Sequence, residues 1–273
     1  MAGGKRSATS DAEVIAGKQE MGVSVSKTLR AVLLTGALLS VACGQVAWAA
    51  PSGWPADIDP ASGNRLPVPK PDTMSPADQK TYNEIEGGLS AGLPALEKDR
   101  PLVRMYSPGV AKGLAEAHHY LKYDAGIDDR TMTVAVLTTT RELTNQFEWT
   151  QWEQHARDPK DPRYLEPYVI DAIKDCKSVT GLGEKDAAVI TLGREMFGPR
   201  KVSPETFAKV LQLFGPRKTV DLEEMMSLYA ATTDELVVFD QQLHPGQKAL
   251  LPKNAAPCGA SGPNFSWVAD VLR

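Results

Sequence analysis

The sequence predicts an all-α domain of seven or eight helices over residues 75–243. Apolar residues recur at three- and four-residue spacing in one segment after another, which is the helical pattern. Ser-Pro pairs and aspartates stand before these segments and glycines stand after them, as at helix starts and ends. No segment has the pattern of a strand, since the β-favouring Val237-Val238-Phe239 lies inside a helical pattern.

Residues 1–49 have the features of a secretory signal peptide. Lys27 and Arg30 precede an apolar run over residues 31–42, and Ala47-Trp48-Ala49 is a small-x-small cleavage pattern. The apolar run is too short to span a bilayer comfortably. We therefore expect a periplasmic or secreted protein that has no membrane contact after cleavage.

Two alternatives to a cleaved signal peptide remain open. One is a retained membrane anchor, and the other is a lipoprotein modified at Cys43. The start of translation is a separate question, because residues 1–20 are polar and unlike a signal sequence, which favours a start at Met21.

The charge of the processed chain excludes some partners. Cleavage after Ala49 leaves 25 Lys and Arg against 31 Asp and Glu. An acidic chain is a poor match for nucleic acid or for an anionic membrane surface. A small molecule is the expected partner.

The first elements of the mature chain are an arm and two helices. Residues 50–74 are rich in proline and lack a hydrophobic period, so we expect an extended arm that is disordered or wraps a neighbouring subunit. Ser75-Pro76 begins the first helix, which ends before Gly87. Ser107-Pro108 begins the next.

The rest of the domain is predicted from its caps and breaks. Asp128 begins a long central helix that continues to Asp158, because no Pro or Gly interrupts it. The later boundaries are Asp161-Pro162 for the start of a short helix, 184–197 for an amphipathic helix, Ser203-Pro204 for the start of another, Gly215-Pro216 for its break, and 220–243 for the last long helix. A C-terminal tail occupies residues 244–273.

Cys176 and Cys258 remain after processing. In an oxidising compartment an even number of cysteines permits one disulfide, and two free thiols are the alternative. No Cys-x-x-Cys is present, so the usual thiol redox motif is missing.

One stretch of the predicted central helix carries the candidate active site. Glu148, Trp152 and His155 are spaced i, i+4 and i+7, so they share one side of a helix. A carboxylate and an imidazole there are candidate catalytic groups, while the alternative is a polar helix edge with a salt-bridged Glu148. Trp149, Trp152 and Asn145 are candidate substrate-binding residues, although tryptophans at these spacings also serve as core.

Several common chemistries have no motif in this chain. Phosphate-binding glycine loops, a Gly-x-Ser-x-Gly and a His-Glu-x-x-His are all absent from the sequence. The chain has four histidines, and adjacent His118 and His119 point about 100° apart on a helix, so they cannot chelate one ion together. We therefore expect no metal site and no cofactor.

Five short motifs occur in order along the chain. They are Ser107-Pro108-Gly109-Val110-Ala111, Phe147-Glu148-Trp149, Gly181-Leu182 with Asp186-Ala187-Ala188-Val189, Arg194-Glu195, and Val202-Ser203-Pro204-Glu205-Thr206-Phe207. Their order and spacing resemble the carboxymuconolactone decarboxylase family, which also contains the alkyl hydroperoxidase D-like proteins. The resemblance spans residues 77–243.

The resemblance implies an alkyl hydroperoxidase D-like helical domain. Such domains form homo-oligomers, often trimers or hexamers, with the site in a cleft near a subunit interface. Members either decarboxylate an unsaturated lactone acid without a cofactor or reduce peroxides through a cysteine pair.

The family pattern around the site is Glu-Trp-x-x-His. Glu148 and Trp149 match it, but Trp152 occupies the histidine position, and His155 substitutes only if the pocket has shifted. The peroxidase cysteines correspond to Asn145 and Glu148, so their thiol chemistry is missing here.

Three functions follow as hypotheses. The first is cofactor-free decarboxylation of a small unsaturated lactone or carboxylic acid, with Glu148 or His155 donating a proton to the carbanion. The second is a non-catalytic helical scaffold that binds a small ligand between subunits. The third is the family's peroxide reduction, which the missing cysteine pair disfavours.

Overall fold

The structure is a computed structural model, and it describes residues 53–85 and 102–261. These residues form seven α-helices and no named strand, which confirms the predicted all-α fold. The helices are α1 (Pro76–Glu84), α2 (Pro108–His119), α3 (Asp129–Glu142), α4 (Gln146–Arg157), α5 (Pro167–Lys174), α6 (Glu184–Phe197) and α7 (Pro204–Val238). The predicted signal peptide lies outside the described residues.

Helix α3 is the centre of the domain. It packs against α4, α5, α6 and α7, and residues 131–142 are all buried. A helix that is buried on every side needs no polar face, and four of its consecutive residues, 134–137, are apolar and fully buried. The remaining helices are arranged around it.

Buried threonines let α3 carry hydroxyl groups without leaving them unpaired. Thr138 donates to the carbonyl of Val134 at 2.7 Å, and Thr139 donates to that of Ala135 at 2.9 Å. Each hydroxyl thus finds its partner one turn back on its own helix. Burial of these threonines therefore leaves neither hydroxyl without a hydrogen bond.

Gly193 allows α6 to approach α3 and α7 closely. A Cβ at this position would lie 2.6 Å from Thr138 Cγ2 and 2.7 Å from Met226 Cε. These separations are well inside van der Waals contact. The absence of a side chain at residue 193 therefore sets the spacing of three helices.

The predicted single helix from Asp128 to Asp158 is wrong, because two helices occupy this segment. Thr144 has a φ of 53°, which ends α3 in the left-handed conformation. The N–H of Asn145 donates to the carbonyl of Thr140 at 2.9 Å, and that of Thr144 to Arg141 at 3.1 Å, which is the Schellman pattern. The absence of Pro and Gly misled the prediction, since a threonine here takes the position that glycine usually fills.

Two further predicted boundaries need correction. The helix assigned to Asp161-Pro162 begins at Pro167, because Asp161 uses its carboxylate in the preceding loop. The last long helix is the second of these, since it ends at Val238 rather than Leu243. The predicted break at Gly215-Pro216 is confirmed, because Gly215 leaves the helical conformation at φ 73° and divides α7 into two helical segments.

The N-terminal segment 53–66 packs onto its own chain. The N–H of Arg65 donates to the carbonyl of Phe239, and the N–H of Gln242 donates to that of Gly63. Asn64 is 1% exposed and donates to Gln241 Oε1 at 3.1 Å. This part of the predicted arm therefore lies on the segment after α7.

Cys176 and Cys258 form a disulfide, with their Cα atoms 5.2 Å apart. The bond joins the end of α5 to the tail. The tail also runs beside α4, where Gln247 and Gln151 exchange two amide hydrogen bonds. Among the described residues, no helix has the length and apolar character needed to cross a membrane.

Gly193→Ala should destabilise the domain, because its methyl group must push apart Thr138 and Met226. Overpacking of this kind costs about 1–3 kcal/mol, which urea unfolding would measure.

Gly113→Ala is the matched control, because Gly113 lies on exposed α2 with no atom within 4 Å of the added Cβ. Replacing a helical glycine there should stabilise by about 0.5–1 kcal/mol. Equal effects of the two substitutions would contradict the close approach at Gly193.

Candidate functional site

Asn145 anchors the first turn of α4. Its Oδ1 accepts from the N–H of Glu148 at 2.9 Å, which makes it the N-cap. Its Nδ2 donates to the carbonyl of Thr233 on α7 at 3.2 Å. The candidate substrate-binding Asn145 thus positions Glu148 relative to α7.

Glu148 is 2% exposed, yet no described residue forms a hydrogen bond or ion pair with its carboxylate. Among the described residues, Glu142 and Asp221 have a side-chain oxygen that is inaccessible to solvent and has no hydrogen bond. The Glu148 oxygens differ from these, because they keep some contact with solvent. Glu148 is therefore a buried acid that no residue in the described part of the chain pairs.

Glu148 does not make the capping hydrogen bond that is usual for a glutamate at its position. Glu148 is the third residue after the N-cap, where a glutamate normally accepts a hydrogen bond from the N-cap N–H. In this chain the N–H of Asn145 is bonded to Thr140 instead. The Glu148 carboxylate therefore lies in the first turn of α4 without a hydrogen-bond donor among the described residues.

Glu153 shows how α4 treats an acid that is structural. This residue is 1% exposed and accepts from Trp149 Nε1 at 2.5 Å, from Arg157 Nε at 2.8 Å and from Lys174 Nζ at 3.0 Å. Trp149 is fully buried and turned toward this ion pair. A ligand would have to displace core packing to reach the Trp149 ring.

Trp152 is also packed on both sides. It is 4% exposed, its ring meets Tyr229 edge-to-face at 5.5 Å, and the Arg163 guanidinium lies 5.6 Å from its centroid. Tyr229 in turn places its hydroxyl 3.4 Å from His118 Nε2. The aromatic plate predicted at Trp152 is therefore covered by Arg163 in this structure.

His155 belongs to a cluster with the loop that follows α4. Its Nδ1 lies 2.7 Å from Asp161 Oδ2 and 2.7 Å from Arg163 Nη2. Nδ1 donates to Asp161 when it carries the ring proton, and it accepts from Arg163 when the proton lies on Nε2. In both cases Nε2 makes no hydrogen bond with the described residues, so it is the nitrogen available for chemistry.

Two charged residues near His155 have shifted pKa values. Burial alone would raise the pKa of Asp161, but side-chain and backbone hydrogen bonds from Arg163 outweigh it and hold that pKa well below its usual range. Burial, together with repulsion from Arg163, lowers the pKa of Lys122 to about 8. Lys122 lies in the π-helical turn Tyr120–Asp124 after α2.

The structure brings together Glu148, Trp152 and His155 on one side of α4, as the sequence predicts. Seven residues of helix separate Glu148 from His155, which is a rise of about 10 Å. Trp149 lies on a different side and faces Glu153. A cavity of about 180 Å³ lined by Asp128, Thr131, Lys185 and Lys218 among others shares no residue with this side of α4.

Sequence reasoning missed Asp161 and Arg163 as the partners of His155. The signal is Asp161-Pro162-Arg163, where an acid and a base flank a proline after a helix, although the same residues also suit a helix start. It also missed Tyr229, which contacts Trp152, and Lys122, whose ammonium is repelled by Arg163. These two residues are distant in sequence from α4, and no local pattern connects them to it.

Comparisons of the chain with protein-family models, with curated proteins and with solved structures found no match.

Proposed function

We propose that this protein is a small-molecule enzyme of the decarboxylase type, in which Glu148 transfers a proton to or from a small unsaturated lactone or carboxylic acid. The observation that carries the proposal is the buried Glu148 carboxylate, which has no partner among the described residues. A carboxylate that is largely withdrawn from water and has no protein donor loses part of its solvation. A ligand that donates to the Glu148 carboxylate would replace what is lost.

The chemistry needs an acid and an electron sink. When carbon dioxide leaves, the electron pair of the broken C–C bond moves into the conjugated carbonyl of the lactone. Protonated Glu148 then delivers its proton to the carbon of the resulting enolate, and a solvent proton restores the acid. No redox change takes place, so the residues of α4 suffice for the proton balance.

His155 is the second group in this proposal. Asp161 and Arg163 fix its ring, which leaves Nε2 as a donor or acceptor at the far end of the same helix side. An Nε2–H would stabilise the developing enolate oxygen. The buried Trp152 ring lies between the two groups and makes the space between them apolar.

A non-catalytic ligand-binding scaffold is the second candidate. It is favoured by the packing of Trp152, which is closed by Arg163 and Tyr229. In a scaffold, Glu148 would bind a ligand donor without transferring its proton. Turnover separates the two candidates.

Two features support a secreted homo-oligomer as part of the proposal. The Cys176–Cys258 disulfide is the state expected in an oxidising compartment. Phe207 and Leu211 lie one turn apart on α7. Phe207 is 52% exposed and Leu211 is 36% exposed, so together they form an apolar surface suited to a subunit contact.

Glu148→Gln should abolish decarboxylation, because the amide is isosteric but cannot transfer a proton. Carbon dioxide release from a panel of unsaturated lactone acids should fall at least about 100-fold. The variant should keep the wild-type melting temperature, since no described hydrogen bond is lost.

Glu205→Gln is the matched control, because Glu205 lies in the first turn of α7 but is exposed. It should release carbon dioxide at the wild-type rate. Unchanged turnover in Glu148→Gln would remove the proposed mechanism.

Asp161→Asn should lower stability in a pH-dependent way. The lowered pKa of Asp161 means that its ionised form stabilises the fold above the unfolded value of 3.8, and that this contribution is lost as pH falls toward the folded value. The variant should be less stable by about 2 kcal/mol at pH 7, and the gap should narrow below about pH 4.

Urea unfolding of both proteins between pH 3 and 7 would check this. A gap that is constant with pH, or that widens in acid, would show that Asp161 does not pair with Arg163 in solution.

A further inference from the structure

The Cys176–Cys258 disulfide lies against a buried guanidinium. Cys176 is exposed just after α5, Cys258 is partly buried, and Arg141 is 5% exposed. Arg141 Nη2 donates to Cys176 Sγ at 3.1 Å. A disulfide sulfur is a neutral, weak acceptor, whereas a thiolate at the same place would accept a charge-assisted hydrogen bond. The guanidinium is therefore better matched to reduced Cys176 than to the disulfide.

Arg141 also holds both segments that carry the cysteines. Its Nε donates to the carbonyl of Lys174 at 2.7 Å, and its Nη1 donates to that of Ala256 at 2.7 Å. Glu142 Oε2 accepts from the N–H of Gly259 at 2.9 Å. None of these bonds uses the sulfur–sulfur bond, so they can keep the two sulfurs close after reduction.

We propose that Cys176–Cys258 is a thiol–disulfide exchange site that oxidises an external dithiol. A thiolate of the dithiol attacks the sulfur of Cys176, which is the more exposed of the two cysteine residues. The disulfide breaks, and Cys258 leaves with the electron pair and takes a proton. The second thiolate of the dithiol then attacks the dithiol sulfur that is bonded to Cys176. An intramolecular disulfide forms in the dithiol, and Cys176 leaves as a thiolate held by Arg141. The dithiol loses two electrons and the protein disulfide gains them. This activity does not depend on Glu148.

Some charged groups around Cys176 favour its thiolate and others disfavour it. Arg141 from α3 contacts the sulfur, and Arg194 from α6 donates to the carbonyl of Lys177 at 2.9 Å. Asp175 pairs with the Lys177 ammonium at 3.0 Å, so these two neighbours largely cancel. Glu142 is the nearby acid of α3, and burial raises its pKa, which favours its neutral form. The C-terminal end of α5 disfavours a thiolate, and Arg141 opposes this by binding the Lys174 carbonyl.

The first test isolates each thiol. In the Cys258→Ser variant, the rate of Cys176 alkylation by iodoacetamide against pH should give a pKa at least about one unit below the ordinary 8.5. Adding Arg141→Gln should return it to about 8.5 or above. Cys176→Ser is the matched control, in which Cys258 should show no lowered pKa.

The second test uses the oxidised wild-type protein and keeps the proposal testable if Arg141→Gln fails to fold. Reduced glutathione at neutral pH should give a mixed disulfide on Cys176, located by peptide mass spectrometry, with Cys258 free. A Cys176 pKa of about 8.5 or higher in Cys258→Ser would overturn the proposal. So would a disulfide that forms no adduct under native conditions, or an adduct on Cys258, because each is the behaviour of a purely structural bond.

Discussion

The hydrogen bond from the Asn145 N–H to the Thr140 carbonyl is the contact on which the candidate site depends. It closes α3, and it removes the donor that would otherwise pair with Glu148. Asn145 then begins α4 with its side chain and binds Thr233 on α7. The junction between two helices thus fixes the position of Glu148 and leaves its carboxylate without a partner among the residues that the structure describes.

Burial of α3 is what makes this junction rigid. All of residues 131–142 are buried, and Gly193 brings α6 into close contact with Thr138. On α4, the core acid Glu153 is bonded by Trp149 and two cations, and breaking such a buried pair typically costs about 3–5 kcal/mol. Glu148 has no comparable partner within the described residues. The contrast between two acids on one helix is the strongest indication that they have different roles.

The sequence predicted the helical class, most helix starts and the shared side of Glu148, Trp152 and His155, because these follow from caps and from a period of 3.6 residues. It missed the break at Thr144, since a threonine takes the left-handed position that glycine usually fills at a helix end. It also missed Arg163, which contacts His155 across a loop, and Lys122, which lies near Arg163 but on a helical segment other than α4. Trp152 is covered by Arg163 for the same reason, and no local pattern contains that information.

The surroundings of the disulfide also depend on tertiary contacts that no local sequence pattern contains. Two cysteines separated by 82 residues permitted a bond, but only the fold places Arg141 between their segments. One end of α3 therefore serves two purposes: Arg141 and Glu142 bind the tail, and the next residues form the junction to α4. The binding chemistry at each place depends on the burial of that helix end.

A direct measurement of the central claim is carboxyl-carbon NMR of the protein labelled in its glutamates, titrated with unsaturated lactone acids. Glu153 is the internal control, because its carboxylate is already bonded by Trp149, Arg157 and Lys174. A saturable shift of the Glu148 resonance with Glu153 unmoved is the predicted result. A Glu148 resonance that does not respond to any of these acids would contradict the view that its carboxylate is kept unpaired for a ligand.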